Sequence, residues 1–147
     1  MNTTLLDEKE YSRWMNFAKK TLQSAIGDLE RGDYNWACFK AQQAAETAVK
    51  ALLHGLGLPT YGHSISKLLM LIVSKKIDVP ENIMYYAKTL DKYYIPTRYP
   101  NAWPEGSPHE YYTEQDASNA IRYAENIIMW VENLWKYLKK EARQEKK

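Results

Sequence analysis

The segment NWACFKAQQAAETAVKALLHGLG, residues 35–57, decides the fold. Its positions Ala37, Ala41, Ala44, Ala45, Ala48 and Leu52 recur at steps of three and four, the spacing that lines one face of an α-helix. Alanine is the best helix former and carries nothing beyond Cβ, so an alanine-lined face lets a neighbouring helix come close. The glycines around Leu56, followed by Pro59, close the segment. Upstream, Tyr11, Trp14, Met15, Ala18, Leu22, Ala25, Ile26 and Leu29 form another helical stripe, stopped at Arg31-Gly32-Asp33. Asp33 is placed to cap the helix that follows. So short a connection joins the two as an antiparallel hairpin.

Downstream the pattern stays helical. After the loop GLGLPTYGH, Ile65, Leu68, Leu69 and Ile72 mark a shorter helix, with Lys75 and Lys76 suited to its C-terminal dipole. Asp78-Val79-Pro80 opens a fourth, with Ile83, Ala87, Leu90 and Tyr94 on one side. Thr113 and Asp116 are spaced as a capping box before a final helix bearing Ala117, Ala120, Ile121, Ala124, Ile127, Ile128, Val131, Leu134 and Leu138. No stretch alternates as a strand, and no segment repeats. The expected fold is all-α, an antiparallel up-and-down four-helix bundle with an additional short helix. It forms one domain over residues 1–147, with a basic tail, 139–147, that frays.

Composition narrows the function classes. The chain has 147 residues with a formal net charge of +2, and the tail's excess of lysine and arginine leaves a near-neutral body. Such a body is not the footprint of a general nucleic-acid coat, so any polyanion site is local. The single cysteine, Cys38, excludes an internal disulfide. No run has the length of a membrane span, and MNTTLLDEKE lacks the basic-then-apolar order of a signal peptide. These features point to the cytoplasm. His54, His63 and His109 lie on different elements, without metal-ligand spacing, so neither metal nor cofactor is expected. Phosphate-binding glycine loops and nucleophile elbows are also missing.

Two places stand out. The loop YYIPTRYPNAWPEG, residues 93–106, sets Arg98 among Tyr93, Tyr94, Tyr99 and Trp103, stiffened by Pro96, Pro100 and Pro104. On one reading Arg98 caps carbonyls of the fourth helix or pairs with Asp91. On the other its guanidinium fork meets a phosphate while Tyr99 or Trp103 stacks on a base. The second place is the flank of the alanine helix, where Trp36, Phe39, Gln43 and Glu46 fall off the inner stripe. Aromatic residues on an outer face suggest a partner surface, here a homodimer contact.

The order of these features resembles the HEPN family. Gln43-Ala44-Ala45-Glu46 followed by Lys50-Ala51-Leu52, then His63 with Leu68-Leu69, YYIPTRYP and the alanine-rich last helix carry the likeness. The resemblance implies a dimeric helical bundle, in many members paired with a small nucleotidyltransferase in toxin–antitoxin-like modules. It also implies metal-independent RNase activity in members with an arginine followed, after a short set interval, by a histidine. Arg98 matches that arginine. Trp103, Pro104 and Glu105 occupy the window for the histidine, and the next one downstream is His109. The departure favours a regulatory protein that binds nucleotide or RNA through Arg98, Tyr99 and Trp103. An RNase using Arg98 and His109 is the alternative, and a purely structural adaptor the third.

Overall fold

The computed structural model describes residues 6–145, so the first five residues and Lys146 and Lys147 lie outside it. Five α-helices follow in order: α1 (Glu8–Arg31), α2 (Tyr34–Gly55), α3 (Ile65–Ser74), α4 (Glu81–Asp91) and α5 (Glu114–Glu145). Two 3₁₀ turns, Pro100–Ala102 and Pro108–Glu110, shape the long connection between α4 and α5. The described residues contain no strand, and the all-helical fold is the one expected. None of these helices is long and apolar enough to cross a membrane.

Local chemistry sets the helix ends. The Asp7 carboxylate accepts from the Glu10 amide at 3.0 Å and caps α1. Gly32 ends that helix at φ 82°, a left-handed conformation that costs glycine little. Asp33 stands at the N-cap of α2, but its side chain makes no capping bond. The capping box before α5 forms as spaced: Thr113 N donates to Asp116 Oδ2 at 3.0 Å, and Asp116 N donates to Thr113 Oγ1 at 3.1 Å.

Helix α2 is the centre of the molecule. It packs along α1 and α5, while the shorter α3 and α4 pack on each other and close the remaining side. Its alanines 37, 41, 44, 45, 48 and 51 are all fully buried, as are Leu52 and Leu53. Ile65, Leu68, Leu69 and Ile72 of α3 join this core, with Ile83, Ala87 and Leu90 of α4. The basic tail does not leave the bundle at residue 139. It stays helical to Glu145, because Leu138 and Ala142 are buried and Lys139 pairs with Glu8 at 3.2 Å.

Cys38 sits inside this core with no exposed surface. Burial, and secondarily the Asp116 charge, push its thiol up to about 12. The folded protein is therefore expected to resist a thiol reagent at about pH 8 and to label fully only in denaturant. Labelling of the native protein within minutes would show that the α2 core opens readily.

Candidate functional site

The connection after α4 is ordered by its own polar groups. In the turn beyond Asp91, the carbonyls of Tyr93 and Tyr94 have left the helical ladder and need donors. Thr97, fully buried, donates Oγ1–H to Tyr93 O at 2.7 Å. Arg98 donates from Nε and Nη2 to Tyr94 O at 2.9 and 2.7 Å. Asn35 of α2 donates to Thr97 O at 3.0 Å and ties the turn to the bundle. The indole of Trp103 donates to Pro96 O at 2.8 Å, and the Tyr111 hydroxyl donates to Glu105 O.

Arg98 thus caps a carbonyl just past α4. It does not pair with Asp91, whose carboxylate is taken up by Ser64 Oγ, the Ile65 amide and Ser66 at the start of α3. Three rings surround the guanidinium carbon: Phe39 at 4.3 Å, Tyr94 at 4.7 Å and Tyr99 at 5.1 Å from their centres. These contacts hold a half-buried cation in one orientation by cation–π attraction. Among the described residues no carboxylate pairs with Arg98, and the Nη1 end of its fork makes no hydrogen bond.

Arg98 lines a cleft of about 440 Å³ together with Gly32, Asp33, Trp36, Thr97 and His109. The excursion 99–108 therefore folds back far enough to bring His109 to the arginine's cleft. His109 is exposed there, and among the described residues its side chain has no hydrogen-bond partner to orient it. Trp36, expected as a partner-surface residue, is 44% exposed and forms another wall.

The other aromatics divide into two roles. Tyr99 is 48% exposed beside the guanidinium. Trp103 stacks on Tyr111 at 4.2 Å, meets Tyr112 edge-on, and lies outside the cleft lining. With its N–H and one face occupied, it braces the loop. Tyr93 and Tyr112 pack edge to face, and burial pushes the Tyr93 hydroxyl up to about 12 and the Tyr112 hydroxyl higher still. Both stay protonated and pack rather than exchange protons.

Glu46 departs most from expectation. Helical spacing puts it on an outer face, yet it is only 4% exposed. Its Oε2 accepts from Lys50 Nζ at 3.0 Å and meets His63 Nδ1 at 3.2 Å, and its Oε1 accepts from Gln42 and Gln43. The α2–α3 connection folds over this flank of α2, anchored by Gln42 donating to His63 O at 2.9 Å. Phe39 and Gln43 are half-buried, Phe39 beneath Arg98. Of the expected interface set, Trp36 alone is well exposed. Sequence reasoning misses Gln42 and His63 as members of this cluster. The Gln-Gln-x-x-Glu-x-x-x-Lys spacing, 42–43–46–50, is the signal that places its α2 groups together on one helix.

No three His, Cys, Asp or Glu side chains among the described residues converge as a metal site. The HEPN domain family model matches residues 11–134. Solved structures are similar as well. TT1696 from Thermus thermophilus is 44% identical with a TM-score of 0.81, over 90% of this chain and 98% of that one. ST0689, an archaeal HEPN homologue, is 42% identical with a TM-score of 0.72, over 84% and 96%. An HEPN domain protein from Thermotoga maritima, TM0613, is 40% identical with a TM-score of 0.68, over 84% and 98%. No curated protein matches the sequence.

Proposed function

The chain belongs to the HEPN domain family, and from that membership we propose that it is a non-catalytic binding protein whose Arg98 cleft holds a phosphate of a nucleotide or RNA. One observation carries the reading: a half-buried guanidinium, locked by Tyr94 O and three rings, that lacks a counter-ion among the described residues and keeps its Nη1 end unpartnered. A charge partly removed from water without a partner is costly, and an incoming phosphate relieves that cost through a charge-assisted pair. Tyr99 and Trp36 are the exposed rings beside it on which a base would stack. Trp103, expected from its position to stack on a base, instead keeps the loop in shape.

Arg98→Ala is expected to weaken binding of single-stranded RNA or a nucleotide by about ten- to a hundredfold, the worth of one charge-assisted contact. Fluorescence anisotropy in EDTA measures it. Unchanged affinity would return Arg98 to its capping role and favour the structural adaptor.

His109 at the same cleft favours a second reading, metal-independent RNA cleavage with His109 moving the 2′-hydroxyl proton and Arg98 stabilising the phosphorane. The exposed, unoriented state of His109 makes this the weaker reading. Cleavage in EDTA that disappears in both Arg98→Ala and His109→Ala would establish it. A homodimer, implied by the family, would use the outer α1–α2 face where exposed Phe17 lies by half-buried Phe39 and Gln43, and a light-scattering mass of one chain would remove it. Pairing with a nucleotidyltransferase rests on the family alone.

A further inference from the structure

We propose that the outer face of α3, with the cleft at its C-terminal end, docks an acidic amphipathic segment of a partner protein. This surface shares no residue with the Arg98 cleft. Ile65, Leu68, Leu69, Met70, Leu71, Ile72 and Val73 make α3 apolar around most of its circumference, yet the bundle buries only the first three and Ile72. Met70, Leu71 and Val73 remain 54%, 39% and 40% exposed. A helix apolar on nearly all sides is normally covered. Lys67, Met70, Leu71 and Ser74 follow the i, i+3, i+4, i+7 pattern, and all four are exposed on the side turned away from the core.

Charge identifies what covers this face. No Asp or Glu stands between Glu46 and Asp78, so α3 and the connection before it contribute only cations. Asp91, which does reach α3, is taken up by its first turn. At the other end Lys75 and Lys76 line a cleft of about 480 Å³ together with Leu134 and Tyr137 of α5. Asp78 and Glu141 line it too, but among the described residues neither pairs with the two lysines, whose ammonium groups have no partner. Lys76 holds φ at 65°, a left-handed conformation that a helix end ordinarily gives to glycine. The dipole of α3 favours a cation at its end, but Lys75 already supplies one. Apolar side chains on Met70 and Leu71, with carboxylates against Lys67, Lys75 and Lys76, describe one acidic amphipathic helix. A membrane fits less well, because the ten residues of α3 span only about 15 Å and three lysines fall short of the cluster that holds a protein to anionic lipid.

The probes are two labelled peptides of about 18 residues, long enough to form a helix, with leucines along one side. One carries glutamates on its other side and the second carries lysines. Wild type is expected to bind the acidic peptide at least about tenfold tighter than the basic one, and less tightly as salt is added. Lys76→Gly should weaken that binding about tenfold, the worth of one charge-assisted contact, while raising the thermal midpoint by relieving the backbone. A lysine that only ends the helix would not give those opposed effects. Met70→Glu should weaken binding by a similar factor with the midpoint little changed, because the side chain is exposed. The proposal is overturned if wild type binds both peptides alike or neither, or if Lys76→Gly leaves binding intact. Binding of wild type to vesicles of equal parts phosphatidylcholine and phosphatidylglycerol, abolished by Met70→Glu, would overturn it by assigning the face to a membrane. A light-scattering mass that Met70→Glu lowers would do so by assigning the face to a second copy of the chain.

Discussion

Glu46→Ala is expected to cost the fold about 3–5 kcal/mol, the largest loss for any single side chain of the polar cluster. Four side chains direct polar groups at this one carboxylate: Gln42, Gln43, Lys50 and His63. Removing it strands the Lys50 ammonium, whose side chain is only 13% exposed, while the Gln42 and Gln43 amides keep His63 O at 2.9 Å and Gln42 Oε1 at 2.8 Å as acceptors. The loss comes mostly from that uncompensated charge. Urea unfolding monitored by circular dichroism gives the number. Glu46→Leu combined with Lys50→Met should recover much of it, because removing both charges together also removes the desolvation penalty. A loss below about 1 kcal/mol in Glu46→Ala would mean that water reaches the cluster freely and that His63 is not held.

Gly55→Ala follows at about 3 kcal/mol, the upper end of what overpacking a core costs. A Cβ at Gly55 would lie 2.5 Å from Cζ3 of Trp135 and 3.1 Å from Cβ of Tyr11. Neither ring can easily retreat. Tyr11 and Trp135 stack at 4.2 Å and 6°, and the indole N–H is fixed on Glu8 Oε2 at 2.9 Å. Helix α1 is also tied to this point, since Asp7 N donates to Gly55 O at 2.8 Å. The expected result is a lower thermal midpoint with helical content retained at low temperature. Trp135→Phe in the Gly55→Ala background should cost less than the two changes summed, the signature of one shared clash. Full additivity would place the strain elsewhere.

The two effects differ in how visible their causes are in the chain. Helix α2 announces itself through its alanines, and Gly55 looks from sequence like an ordinary helix terminator. Its steric role depends on Trp135, from the far end of α5, which no local pattern places there. Glu46 illustrates a different difficulty. Helical periodicity identifies the inner stripe correctly, but Glu46 sits at its edge, where burial is decided by whatever crosses that flank. What crosses it is the connection carrying His63, seventeen positions further along.

Arg98 is legible as a special residue because of its company, Tyr94, Tyr99 and three prolines. Its own bonds to Tyr94 O are local, four residues apart, and carbonyl capping is one of the readings the loop sequence allows. That Phe39 packs beneath it, that Asn35 anchors Thr97 across 62 positions, and that Asp91 is consumed by α3 are not legible.

By itself, then, the sequence determined the helices, the breaks between them and their inward apolar faces, though not how far α5 runs, which the packing of Leu138, Lys139 and Ala142 on the bundle decides. Each of those depends on groups within about four residues, where backbone geometry fixes who meets whom. The tertiary structure alone decided which polar groups share a site: Glu46 with His63, and Arg98 with Phe39, Trp36 and His109. Hydrophobic burial is non-directional and tolerates many arrangements of an apolar face, whereas a hydrogen bond or ion pair needs one partner at one distance. Only the packed bundle, by fixing how its helices and loops meet, supplies that partner.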